Sequence, residues 1–118
     1  MEIALGRDEI LTSPALHLMK TSSPDCVTEP LDAYIVLTRH LADLAQSKPT
    51  VTPRPFRLRV YKGEEVAYEE VIPRTAPWGF LEWLPKNNPL QCWRFQESLV
   101  IYEDRTDTFW VVTRVGRS

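Results

Sequence analysis

The sequence predicts an α+β fold: an antiparallel sheet of about four strands, built as two hairpins, packed against one main helix. A short proline-bounded helical insert is expected between the hairpins. Three observations predict it. One segment carries apolar residues at helical spacing, two later pairs of segments alternate with turn residues between them, and prolines punctuate the connections. At 118 residues the chain is of ordinary size for a single domain spanning 1–118, large enough to bury a core without a disulfide or metal.

Residues 1–26 are weakly patterned. Ser13-Pro14 can open a short helix through Lys20, with Pro14 at its first position. Thr21-Ser22-Ser23-Pro24-Asp25 reads as a loop, and the whole segment is expected to be mobile or to await a partner. Thr28 reads as the N-cap of the main helix, which runs to about Gln46. Its apolar stripe is read as Leu31, Tyr34, Ile35, Thr38, Leu41, Leu44 and Ala45.

Pro49, Pro53 and Pro55 then stiffen a connector. Phe56, Leu58 and Val60 alternate with Arg57 and Arg59, and Val66, Tyr68 and Ile72 continue beyond a turn at Gly63. A three-residue loop with Gly63 left-handed would set Leu58 opposite Tyr68 and Arg57 opposite Glu69. The run Gln91 to Tyr102 reads as one strand, with Trp93 and Ile101 on a common side. A four-residue turn at Asp104–Asp107 returns it as Thr108–Val115, with Ile101 opposite Trp110 and Leu99 opposite Val112. Strands apolar on both sides belong in the middle of a sheet, and the charged first hairpin suits an edge.

Composition removes several functions. Lys plus Arg total 14 against 16 Asp plus Glu, so the chain lacks the basic excess of a phosphate-backbone binder, and nucleic acid is an unlikely partner. Residues 1–53 hold four basic and seven acidic groups; the remainder holds ten and nine. Arg57 and Arg59 are the best candidates for a local nucleic-acid contact, with neighbouring glutamates as their alternative partners. No apolar run is long enough to span a membrane, and Met1–Glu9 lacks a basic start and an apolar stretch. The expected setting is cytoplasmic, with Cys26 and Cys92 as two buried thiols.

Neither the two cysteines nor His17 and His40 fall at metal-ligand spacing, so neither a metal nor another cofactor is expected. His40 and Asp43 lie at i and i+3 on the main helix, but no nucleophile is placed beside them. No catalytic set emerges, and the chain reads as leaning away from an enzyme.

The segment Pro73–Pro85 holds Trp78, Phe80 and Trp83. Two tryptophans five positions apart are hard to bury completely in a short insert, and tryptophan is enriched among interface hot spots. The first functional expectation is therefore a small protein-binding module, such as an adaptor, inhibitor or regulatory subunit, using Trp78, Phe80 and Trp83. Trp83 is the residue expected to be exposed. A homodimer could use the same aromatics or the strand Phe56–Tyr61 as an edge. The second expectation is a small-ligand pocket between helix and sheet lined by Tyr34, Trp93 and Trp110. The third is RNA binding through Arg57 and Arg59.

Overall fold

The computed structural model describes residues 13–29, 32–46, 55–72, 79–85, 88–95 and 98–114. In chain order these form helix α1 (Ser13–Met19), strand β1 (Cys26–Thr28), helix α2 (Ala33–Gln46), strands β2 (Phe56–Lys62) and β3 (Glu65–Ile72), a 3₁₀ helix (Gly79–Trp83), and strands β4 (Leu90–Arg94), β5 (Ser98–Glu103) and β6 (Thr108–Arg114). The strands make one antiparallel sheet in the order β1-β4-β5-β6-β2-β3. Among the described residues, no helix is long and apolar enough to cross a membrane.

The sheet thus has six strands, not about four. Two causes account for the difference. The run read as one strand from Gln91 to Tyr102 folds back on itself, so that Trp93 pairs with Val100 and Arg94 with Leu99. Phe95 N–H donates to Ser98 O at 2.8 Å and closes this hairpin. Trp93 consequently shares a face with Val100 and Tyr102, not with Ile101. The second cause is β1, only three residues long between Pro24 and Pro30, too short to show alternation. Thr28 is a buried residue of that strand, not a helix cap, and its hydroxyl donates to Leu90 O at 3.5 Å.

β5 and β6 occupy the middle of the sheet, in the register that sets Leu99 opposite Val112 and Ile101 opposite Trp110. Both of their faces are apolar, and both are covered. Ala33, Leu37, Leu41 and Leu44 of α2, with Phe80, Leu81 and Leu84 around the 3₁₀ helix, pack onto Leu58, Leu99, Ile101 and Val112. On the opposite face, Leu16 and Met19 of α1 join Tyr61, Trp93, Val100, Tyr102, Phe109 and Val111. Residues 13–26, within the segment expected to be mobile or to await a partner, are packed against the sheet through α1 or paired into it through β1. The expected stripe of α2 is also rotated by roughly a quarter turn. Tyr34 and Ile35 are 53% and 57% exposed, while Ala33 and Leu37 face the sheet.

The first hairpin keeps Gly63 in the left-handed region at φ 62°, but its loop has two residues. Lys62 pairs with Glu65, and a register shift between Val60 and Tyr61 then sets Val60 opposite Tyr68 and Arg59 opposite Glu69. The shorter loop and the bulge each shift the register by one residue in the same direction, so Leu58 lies opposite Glu70 rather than Tyr68, and Arg57 opposite Val71 rather than Glu69. β2 lies between β6 and β3, so Phe56–Tyr61 is not an edge; β3 is.

Asp107 ties three elements together. It sits at φ 53°, its carbonyl accepts from Gly63 N–H at 3.1 Å, and its carboxylate accepts from Tyr102 Oη at 2.9 Å and Lys20 Nζ at 2.5 Å. Lys20 and Tyr102 hold the Asp107 carboxyl below its ordinary pKa, and Asp107 in turn raises that of Lys20. A lowered carboxyl pKa stabilises the fold above the ordinary carboxylate range, and that contribution fades as pH falls through the lowered value. The raised lysine contributes fully below its ordinary pKa and loses its share as pH rises through the raised value. The carboxylate is 42% exposed, so solvent screening limits the pair to under about 1 kcal/mol. Asp107→Asn keeps a residue that tolerates φ > 0 and removes the charge. The expected result in urea unfolding is a loss of at most about 1 kcal/mol near neutral pH, shrinking toward zero below the carboxylate range.

Candidate functional site

The aromatic insert and the edge hairpin meet on the α2 face of the sheet. β2 and β6 present Val60, Lys62, Thr108 and Trp110 on this face because these residues share one strand parity. The bulge between Val60 and Tyr61 sets Tyr68 of β3 on the same face, opposite Val60. The 3₁₀ helix buries Phe80 and Leu81 and, in doing so, turns Trp83 outward, where it is 59% exposed. Trp83 meets Tyr68 edge to face, with centroids 5.7 Å apart and planes at 80°.

Between them lies a cleft of about 470 Å³, lined by Val60, Lys62, Ala67, Tyr68, Trp83, Pro85, Thr106, Thr108 and Trp110. Its chemistry is an apolar, aromatic floor with hydroxyls and one cation at the rim. Among the described residues, the lining contains no carboxylate, imidazole or thiol. The Tyr68 hydroxyl donates to Glu70 Oε1 at 2.7 Å, and this acceptor keeps the phenol protonated to higher pH than usual. One side of the cleft is β3, whose outer backbone edge has no strand beside it among the described residues. Val66, Tyr68 and Val71 of that strand are all exposed.

The sequence-predicted site residues separate as follows. Of the insert residues, Phe80 is buried in the core, Trp83 walls the cleft, and Trp78 lies outside the described residues. The expected pocket of Tyr34, Trp93 and Trp110 does not assemble. Tyr34 points away from the sheet, and Trp93 and Trp110 lie on opposite faces because the Arg94–Ser98 reversal changes the parity of Trp93. Trp110 alone of the three reaches the cleft. Arg57 and Arg59 lie on the other face, where Glu69 serves both. Its Oε2 is 2.7 Å from Arg59 Nε and 3.5 Å from Arg57 Nε. Arg59 Nη1 also donates to the Tyr61 hydroxyl at 3.4 Å.

A second grouping lies at the opposite edge of the sheet. Cys26 of β1 and Cys92 of β4 are direct cross-strand partners and form a disulfide, with Cα atoms 5.4 Å apart. This corrects the expectation of two thiols. α2 lays His40 over the pair, with Nε2 3.6 Å from Cys26 Sγ. His40 thus turns toward sulfur rather than toward an acid–base role with Asp43. Sequence spacing could not show this grouping, because its members come from three elements and β1 was not recognised.

Compared with known proteins, the chain matches no family model, no curated protein and no solved structure. The sites above therefore rest on geometry alone.

The disulfide closes a loop of 66 residues in sequence separation, which ties β1 to β4 in the unfolded chain as well as the folded one. Chain-entropy arguments give such a closure about 4 kcal/mol, and measured cases fall to about 2. Replacing both cysteines by serine is expected to lower unfolding free energy by about 2–4 kcal/mol in urea titration. No loss would show that the reduced, unfolded chain already holds these strands together.

Proposed function

We propose that the protein is a small non-enzymatic binding module that recognises a segment of a partner polypeptide at the Trp83–Tyr68 cleft. The observation that carries this reading is the exposure of Trp83 beside an open strand edge. A large indole, carried on the 3₁₀ helix and packed edge to face against Tyr68, offers apolar area at low entropic cost. An extended segment laid along β3 gains main-chain hydrogen bonds from the edge, while one apolar side chain enters the cleft between Trp83 and Trp110. Among the described residues the lining holds no carboxylate, imidazole or thiol to activate its hydroxyls, which supports binding over chemistry.

A second copy of this chain is one such partner, and β3 rather than Phe56–Tyr61 is the strand it would use. The cleft volume also suits a small apolar ligand, which supports the ligand-binding reading with Trp83, Tyr68 and Trp110 as its aromatic walls. The Cys26–Cys92 bond favours a setting in which disulfides persist over the reducing cytoplasm.

The test is affinity capture with the native chain and with Trp83→Ala in parallel, followed by titration of each captured protein. The expected result is a partner whose affinity falls at least tenfold in the variant while the melting temperature stays within about 2 °C. Affinity unchanged by the substitution, or a large fall in melting temperature, would remove Trp83 from recognition and place it among structural residues.

A further inference from the structure

Cys26, Cys92 and His40 form the one grouping of three potential metal-ligating side chains among the described residues whose donor atoms all lie within 4.8 Å of one another. They come from β1, β4 and α2, so the fold rather than sequence spacing assembles them. In a tetrahedral zinc site, Zn–S bonds of about 2.3 Å and Zn–N bonds of about 2.0–2.1 Å set neighbouring donors roughly 3.5–3.8 Å apart. His40 Nε2 already stands 3.6 Å from Cys26 Sγ. Cys92 is buried, whereas Cys26 and His40 are partly exposed, so an ion has both a dry side and a path to water.

We propose that this grouping is a redox-gated zinc site, bound through Cys26 Sγ, Cys92 Sγ and His40 Nε2, with water in the fourth position. Reduction opens it. A dithiol passes two electrons and two protons to the Cys26–Cys92 bond and becomes a disulfide itself, leaving two thiols. Zn²⁺ then displaces both thiol protons to solvent and takes the lone pair of neutral His40 Nε2. Freed from one another, the two sulfurs separate by side-chain rotation, while the strand pairing at Cys26–Cys92 holds their backbones in place. Oxidation reverses the exchange: a disulfide accepts two electrons from the two thiolates and two protons from solvent and becomes a dithiol, the Cys26–Cys92 bond re-forms, and the ion leaves.

The two states differ mechanically. The disulfide ties β1 to β4 only, whereas the metal also pins α2 to that edge through His40. The site shares no residue with the cleft and does not depend on it.

The experiment uses the full chain, reduced with dithiothreitol, desalted under argon and titrated with Co²⁺ as a spectroscopic substitute for Zn²⁺. One Co²⁺ per chain is expected, with thiolate-to-cobalt charge transfer in the near ultraviolet and the strong visible bands of tetrahedral cobalt, all abolished by added Zn²⁺. The oxidised chain should bind none. His40→Gln should weaken binding by at least about tenfold, as loss of a direct ligand costs no less than loss of its support. If reduction alone unfolds the chain, Zn²⁺ must restore the native far-ultraviolet circular dichroism. Equal binding by reduced and oxidised chains, unchanged affinity in His40→Gln, or an unfolded reduced chain that zinc fails to rescue would each overturn the proposal.

Discussion

Everything in this molecule follows from the pair of central strands that are apolar on both faces. Val100, Tyr102, Phe109 and Val111 need cover on one side, and Leu99, Ile101, Trp110 and Val112 on the other. No single helix can supply both. α2 and the 3₁₀ helix therefore take one face and α1 takes the other. Of the chain before α2, α1 and β1 are thereby recruited into the sheet assembly. The flanking strands then step outward from this fully covered centre to edges that are only partly covered.

That gradient of cover explains where the unusual features lie. At the β1 edge, cover ends in a disulfide with a histidine laid over it. At the β3 edge, the 3₁₀ helix spends Phe80, Leu81 and Leu84 on the core and leaves Trp83 outside it. The hairpin bulge then turns Tyr68 to meet that indole. Polar side chains lock the turns between these regions. Glu103 is fully buried and accepts hydrogen bonds from Asn88, from the Thr106 amide and from the Thr106 hydroxyl, so the β5–β6 turn is held from inside. Asp107 links the same turn to α1 and to the first hairpin.

Strong periodicity was legible in the sequence. The four-residue turn at Asp104–Asp107, the β5–β6 register and the central position of those strands follow directly from alternation and turn chemistry. The helix α2 was legible as an element but not in its rotation. Leu41 and Leu44 belong to either stripe, and only tertiary packing chooses Leu37 over Tyr34. The reversal between Arg94 and Ser98 carries neither glycine nor proline, so its apolar flanks read as one long strand. That error moved Trp93 to the wrong face and with it the expected ligand pocket. The Cys26–His40–Cys92 grouping was invisible for the same kind of reason, since a three-residue strand has too little pattern to announce its partner.

Native-state hydrogen exchange tests the gradient of cover most directly. The account predicts that amides of Val100, Ile101, Val111 and Val112 exchange only near global unfolding, while amides of β3 exchange orders of magnitude faster in dilute solution. Protection of β3 equal to that of β5 would contradict it, because the edge would then already be covered and the Trp83–Tyr68 wall would have no open flank.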